Sequence, residues 1–233
     1  MEKHLLFFGA NGSLGQGVTE VLLSKDYNKY YLFGSKKIAL NSSGHGKNVV
    51  QIQTGNLSRE EEVIKAFGNI KPSKEITYFL FSTIGGYTGG KKLWESELKD
   101  LEEMINTNVK TSFLIAKYFA GLVKESNSGS ILFTAAMTGL TPEKWKISYG
   151  LSKSSLIYLV ESLALEGVEI NLTANAIAPF IIDTPANRSW MGESYDYETL
   201  IKPAEIGELV HSVFRNFRYL SGNVIKLPGR IKV

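Results

Sequence analysis

The sequence predicts an α/β fold, in which helices cover both faces of one doubly wound parallel sheet of about seven strands. Apolar runs of strand length alternate with helical patterns along the 233 residues, and this alternation is typical of a parallel sheet. The first strand ends in a glycine-rich turn that leads into a helix, as such sheets often begin. Because no linker, repeat or low-complexity stretch divides the chain, we expect residues 1–233 to form a single domain.

The glycine-rich turn follows the apolar residues 4–8. Gly9, Gly12 and Gly15 come next, and helical periodicity is established by Val18. A strand, a glycine turn and a helix in this order form a phosphate site, because the backbone can approach a pyrophosphate and the helix N-terminus supplies free N–H groups. A simple tight turn is the alternative. We interpret the stretch as a dinucleotide site, with these cofactor-binding residues: Gly9, Asn11, Gly12, Ser13, Leu14 and Gly15.

The remaining elements follow from apolar spacing and from turn residues. Further strands are predicted at residues 30–34, 49–53, 75–83, 130–135, 172–178 and 223–227. Helices are predicted at residues 59–67, 98–119 and 149–166, and from Pro203 with an apolar face that reaches Phe217. Residues 35–47 contain turn residues with little helical periodicity, which favours the absence of a crossover helix there.

Composition excludes several classes of function. A net charge of +3 is too small and too dispersed to indicate a nucleic-acid surface. The chain has no cysteine, and His4, His45 and His211 lie far apart in sequence, so we expect no metal site and no thiol chemistry. The N-terminus leads directly into a strand and no apolar run reaches membrane length. We therefore expect a cytoplasmic protein that does not bind membranes.

A tyrosine and a lysine share one face of a predicted helix. Tyr149 and Lys153 are four residues apart, which places them one helical turn from each other. A nearby ammonium favours the phenolate, so we expect Lys153 to lower the pKa of Tyr149 and to make it a general acid or base. A surface pair on an amphipathic helix is the alternative, and the dinucleotide turn upstream favours the catalytic interpretation.

With these motifs, the chain resembles the short-chain dehydrogenase/reductase family over essentially its whole length, which implies a Rossmann-type fold and NAD(P)-dependent hydride transfer. Tyr149 and Lys153 match the catalytic pair, and Asn108 matches the helix asparagine that orders a relay water. The middle glycine at 12 follows one variant of the family turn; the commoner spacing has glycine at 13, where this chain has Ser13. The resemblance also implies these cofactor contacts: Asn56, Leu57, Ser82, Thr83, Ile84, Gly85, Pro179, Ile182 and Thr184.

The glycine pairs around Tyr87 and the stretch 183–188 resemble the dihydropteridine-reductase-like subgroup, which lacks the family's catalytic serine. The family serine lies 13 residues before the tyrosine, where this chain has Ala136. Thr134 or Thr138 could supply the missing hydroxyl. Alternatively, an electrophilic substrate such as a quinonoid ring needs no donor, and this is the alternative that we favour. The substrate-binding residues expected are Ala136, Thr138, Tyr87 and Trp190.

Cofactor choice is predicted from the end of the second strand. Ser35, Lys36 and Lys37 stand where NAD-preferring proteins carry a carboxylate for the ribose. A hydroxyl and cations suit a 2′-phosphate, so we expect NADP(H) to be preferred, with NAD(H) possible. The alternative is that both lysines point into solvent.

We therefore expect a reductase that transfers hydride between NADP(H) and a small carbonyl, quinone or quinonoid pterin-like substrate. A catalytically weak dinucleotide-binding scaffold is the alternative. Residues 186–197 are predicted to form a substrate lid, whereas Trp94 and Trp145 are expected to serve packing. Apolar residues of two helices predict a homodimer or homotetramer: Phe113, Ala116, Phe119 and Ala120 on one, and Leu156, Leu159, Val160 and Leu163 on the other.

Overall fold

Seven parallel strands form one sheet in a computed structural model that describes residues 1–38, 40, 48–192 and 195–231. The strands are β1 Glu2–Phe8, β2 Lys29–Gly34, β3 Val49–Gln53, β4 Ile76–Ser82, β5 Ser128–Thr134, β6 Leu172–Pro179 and β7 Val224–Leu227. Their order across the sheet is β3-β2-β1-β4-β5-β6-β7. The direction of winding reverses between β1 and β4, and ligands of such sheets bind at the carboxyl ends of the strands near this point. The predicted fold class is confirmed.

The α-helices lie between the strands, as the sequence predicts. They are α1 Ser13–Leu23, α2 Glu60–Phe67, α3 Leu98–Met104, α4 Thr111–Lys124, α5 Ile147–Glu166, α6 Pro185–Arg188 and α7 Pro203–Arg215. The long helix predicted at 98–119 is interrupted by a π-helical segment, Ile105–Lys110. Such segments often occur at functional sites, and this one contains Asn108.

Both faces of the sheet are covered by packed apolar side chains. In β1, Leu6 and Phe8 belong to the core under α2, α4 and α5, whereas Leu5 and Phe7 belong to the core under α1 and α7. This alternation follows from the two-residue period of a strand. All four side chains are fully buried, which explains why the sequence shows a continuous apolar run rather than an alternating one.

The connection after β2 has no helix in its described residues 35–38, 40 and 48. The predicted turn at 41–46, with His45, lies outside the described residues. None of the helices in the described ranges is long and apolar enough to cross a bilayer. The helix predicted from Pro203 ends at Arg215, and Phe217 begins a separate short 3-10 turn but still packs against the core.

Candidate active site

The glycine turn after β1 has a backbone that only glycine fits. Gly9 has a φ of +86°, which other residues rarely adopt. A Cβ on Gly15 would lie 2.0 Å from the carbonyl oxygen of Gly9. Helix α1 begins directly after Gly12, so its N-terminal N–H groups face the space beside the turn. This arrangement suits a phosphate.

A cavity of about 420 Å³ lies beside the turn and contains most of the predicted cofactor-binding residues. The predicted cofactor-binding residues that line it are Gly9, Asn11, Gly12, Ser13, Leu14, Gly15, Ser35, Asn56, Leu57, Thr83, Ile84 and Gly85. The side-chain amide of Asn11 bonds Ser35 in both directions, accepting from its N–H at 3.2 Å and donating to its hydroxyl at 3.3 Å. This joins the turn to the end of β2. Thr54, Gly55, Thr107 and Thr111 also line the cavity and carried no motif in the sequence.

Lys36 and Lys37 lie outside this cavity and are exposed. Neither lysine has an ion pair with any residue in the described ranges. They directly follow Ser35, which does line the cavity.

A second cavity of about 750 Å³ lies at the carboxyl ends of β4, β5 and β6. It is lined by Tyr149 and Lys153, by the predicted cofactor residues Pro179 and Ile182, and by all four predicted substrate residues, Tyr87, Ala136, Thr138 and Trp190. Both cavities include Thr83 and Gly85, so they form one continuous cleft along the strand ends. A cleft of this length, with a glycine cradle at one end, fits an extended dinucleotide.

Burial shifts the pKa values of both Tyr149 and Lys153. Lys153 is 4% exposed, and burial lowers its pKa to about 8. Its ammonium donates to the carbonyl oxygen of Thr134 at 2.8 Å and lies 5.8 Å from the centroid of the Tyr149 ring. Burial, together with the charges of Tyr87 and Glu143, raises the pKa of Tyr149 to about 12. The expected lowering of the Tyr149 pKa by Lys153 is therefore wrong in this state of the site, because desolvation dominates. The Tyr149 phenol is therefore protonated at neutral pH.

Asn108 lies behind the cleft and is fully buried. Its Oδ1 accepts from the N–H of Gly86 at 2.8 Å, and its Nδ2 donates to the carbonyl oxygen of Gly86 and to the hydroxyl of Ser152. The Ser152 hydroxyl in turn donates to the carbonyl oxygen of Tyr149. The Asn108 side chain thus fixes the loop after β4 to the helix that carries Tyr149. Both its oxygen and its nitrogen are hydrogen-bonded to other groups of the protein.

The two threonines near Ala136 already use their hydroxyl protons. Thr134 donates to the carbonyl oxygen of Ser82 at 2.9 Å, and Thr138 donates to the carboxylate of Glu143. Ala136 itself is 5% exposed and lies in an extended conformation. Neither hydroxyl is therefore free to donate to a substrate oxygen in this structure.

Besides Lys36, two predicted cofactor residues line neither cavity. Ser82 is buried, and its hydroxyl accepts from the N–H of Ile84 at 3.3 Å. Thr184 caps α6 by accepting from the N–H of Asn187 at 3.2 Å. Both therefore support neighbouring loops. Their spacing in the sequence did not distinguish a supporting role from direct contact.

Lys146 and Glu143 are charged groups at the catalytic cleft that motif analysis missed. Lys146 lines the cleft and donates to Glu143 at 2.6 Å. Burial raises the pKa of Glu143, but its hydrogen bonds with Lys146 and Thr138 outweigh this effect and lower it overall. The only signal in the sequence for Lys146 at this site was its position about one helical turn before Tyr149.

Comparison with known proteins agrees with this geometry. Residues 3–194 match the family profile described as short chain dehydrogenase. A dihydropteridine reductase of Dictyostelium discoideum is 27% identical over 238 residues, covering 100% of this chain and 97% of the relative. An acetoacetyl-CoA reductase of an Acinetobacter strain is 24% identical over 241 residues, covering 98% and 97%. The solved structure of ElxO with NADP bound has a TM-score of 0.80 at 22% identity, covering 97% of each chain. The profile match over most of the sequence shows that the chain belongs to the short-chain dehydrogenase/reductase family of oxidoreductases.

Proposed function

We propose that this protein is a reductase that transfers hydride between NADP(H) and a carbonyl, quinone or quinonoid pterin-like substrate. The observation that carries the proposal is the continuous cleft, with the Gly9–Gly15 cradle at one end and Tyr149 beside Lys153 at the other. A nicotinamide bound in this cleft supplies the hydride. The similarity to a dihydropteridine reductase supports the class of substrate, and the similarity to a structure with NADP bound supports the cofactor.

In the proposed reaction, Tyr149 donates a proton to the substrate oxygen. The raised pKa of Tyr149 keeps the phenol protonated at neutral pH, as a proton donor requires. Lys153 lies near Gly85, since a Cβ on that glycine would be 3.1 Å from the lysine Nζ. This is where the two cavities meet, and the family resemblance implies that Lys153 holds the ribose of the nicotinamide there. Asn108 acts as a positioning residue through Gly86 and Ser152.

We infer that the substrate is electrophilic without help from a protein hydroxyl. Ala136 replaces the family serine, and the hydroxyl protons of Thr134 and Thr138 are donated elsewhere. A quinone or quinonoid ring spreads the incoming negative charge over its conjugated atoms and needs such a donor less than a simple ketone does. Membership of the subgroup without the serine is part of this proposal.

The test is consumption of NADPH, followed by absorbance with purified protein. Wild-type protein should oxidise NADPH with a quinone or a quinonoid dihydropterin, and NADPH should bind more tightly than NADH. Tyr149→Phe should bind NADPH as wild type does but lose turnover by about a hundredfold or more, because it removes the general acid. NADPH binding without turnover by any carbonyl, quinone or pterin would favour the non-catalytic scaffold, the alternative that Ala136 suggests.

Self-association is also proposed, on the two helices expected, but apart from Phe113 through other residues of them. Ala116, Phe119, Leu156 and Val160 are buried against the sheet, so the interface predicted on those residues is wrong. Exposed apolar residues form a stripe along α5 at seven-residue spacing, Tyr158 and Leu165, with Phe113 exposed on α4. A stripe of this kind suits an isologous helix pair in a homodimer or homotetramer.

A further inference from the structure

A second groove, mostly apolar, lies beside the catalytic cleft. It has a volume of about 770 Å³ and is formed by the loop 91–94, residues 138–147 and the first turns of α5. Leu93 and Trp94 on one side are 64% and 80% exposed, and Trp145 and Leu151 are also exposed. The packing role expected for Trp94 and Trp145 is therefore wrong. Instead, their rings are presented to a space that a ligand can enter.

The groove adjoins the catalytic cleft. Thr138 and Lys146 line both spaces. Glu143 links Thr138 to Lys146, because one of its carboxylate oxygens accepts from the Thr138 hydroxyl and the other accepts from the Lys146 ammonium. Thr138 and Lys146 thus form the boundary that the cleft and the groove share, and Glu143 holds this boundary from the groove side. The charges of Glu143 and Lys146 are paired with each other, so this boundary does not demand a charged ligand.

The two sides of the groove are fastened to each other. The N–H of Gly90 donates to the carbonyl oxygen of Trp145 at 2.8 Å. Trp145 has a φ of +65°, which is unusual for a bulky residue and persists only where surrounding contacts impose it. Strain of this kind is concentrated at binding and catalytic sites. The loop after β4 and the loop before α5 are therefore joined into one preformed concave surface.

The chemistry of the groove specifies its occupant. Its apolar lining includes Leu93, Trp94, Leu140, Pro142, Ile147 and Leu151. Four lysines also line it, and all of them except Lys144 are paired with carboxylates in the described residues: Lys91, Lys92, Lys144 and Lys146. Its volume is in the range of ligand sites, which are concave and mostly apolar. We propose that this groove binds a hydrocarbon tail of the substrate whose reactive ring or carbonyl lies in the catalytic cleft. The inference rests on the proposed function for the identity of the head group. It adds that the substrate is amphipathic rather than compact.

Intrinsic fluorescence tests this proposal, because the three tryptophans of the chain line the two spaces. In a Trp190→Phe background the remaining Trp94 and Trp145 report on the groove alone. The probes are a methyl-substituted benzoquinone and the same ring carrying a decyl chain. We expect saturable quenching by the decyl probe and only weak, non-saturating quenching by the methyl probe.

Two matched variants in this background assign the binding to the groove. Leu151→Gln should raise the Kd of the decyl probe about fivefold, because it removes apolar surface from the wall. Leu165→Gln makes the same change on the exposed stripe of α5 but away from the groove, and it should leave the Kd unchanged. The proposal would be overturned if both variants had equal effects, or if the decyl probe gave no saturable quenching. The absence of saturable quenching is also the result expected if a second copy of the chain covers the groove. Saturable binding in this background, together with no NADPH turnover by wild-type protein, would support the groove while contradicting the proposed reductase.

Discussion

Replacing Lys153 with methionine should stabilise the protein at neutral pH while abolishing its activity. Burial lowers the pKa of Lys153 from the ordinary value of 10.5 to about 8. At 1.36 kcal/mol for each pH unit, the buried ammonium costs the folded state about 3 kcal/mol at pH 7. Methionine fills a similar volume without charge, but it leaves the Thr134 carbonyl oxygen without its donor, a loss of about 1 kcal/mol. The expected net gain is about 2 kcal/mol.

The gain should depend on pH in a defined direction. Below pH 8 both the folded and the unfolded wild-type protein hold the Lys153 proton, so the full cost is present. As pH rises from 8 toward 10.5, the folded protein releases the proton before the unfolded chain does, and wild-type stability increases. At pH 10 the remaining cost is about 1 kcal/mol, which the lost hydrogen bond offsets. The variant and the wild type should then be about equally stable.

Urea unfolding at pH 7 and pH 10 measures both values. Lys110→Met is a suitable control, since Lys110 is exposed and has no ion pair within the described ranges; its difference from wild type should be small and independent of pH. A Lys153→Met variant that is less stable than wild type at pH 7, or whose advantage persists unchanged at pH 10, would refute the argument that the ammonium is held in a desolvated site.

Four further outcomes are expected. In wild-type protein kcat/KM for reduction should fall above about pH 8, as Lys153 loses its charge while Tyr149 stays protonated, and in Lys153→Arg this fall should disappear from the pH profile. Lys36→Glu should weaken NADPH binding at least tenfold and leave NADH binding nearly unchanged, as measured by titration. Thr134→Val should leave turnover of a quinone nearly intact, whereas Ala136→Ser should raise kcat/KM for simple ketones by about tenfold or more. Tyr158→Asp should lower the mass measured by light scattering toward that of a monomer, because it places a charge on the exposed stripe of α5.

Local signals in the sequence were sufficient for the fold and for the cofactor end of the site. The steric demand at Gly15 is set by Gly9 and Ala10 in the same stretch of chain, so the spacing of the glycines predicts it. At Gly9 the demand comes from its own φ of +86° and from Thr83, which lies far away in the sequence. The four-residue spacing of Tyr149 and Lys153 likewise places both on one helix face, and the structure brings both to the same cavity. Periodicity also predicts which faces of the strands and helices meet.

Properties that depend on distant residues were not predicted. The pKa of Tyr149 is raised because the assembled site removes water from it, and no spacing in the sequence expresses this. The fate of the Thr134 hydroxyl depends on the Ser82 carbonyl oxygen, 52 residues away. Trp94 and Trp145 were expected to pack because large aromatic side chains are usually buried. Both are exposed instead, and they lie on two loops joined by the hydrogen bond between Gly90 and Trp145.

The position of Ala136 relates the catalytic cleft to the kind of substrate that it can reduce. A donor that stabilises a developing oxyanion contributes roughly 3–4 kcal/mol, and Thr134 and Thr138 do not provide one. A simple ketone places its full developing charge on one oxygen, so it loses the whole of this contribution and depends on Tyr149 alone. A quinonoid ring distributes the charge and loses only part of it. The cleft should therefore select substrates by the electronic character of their head group. The apolar groove beyond Lys146 should select them by the tail that is attached to that group.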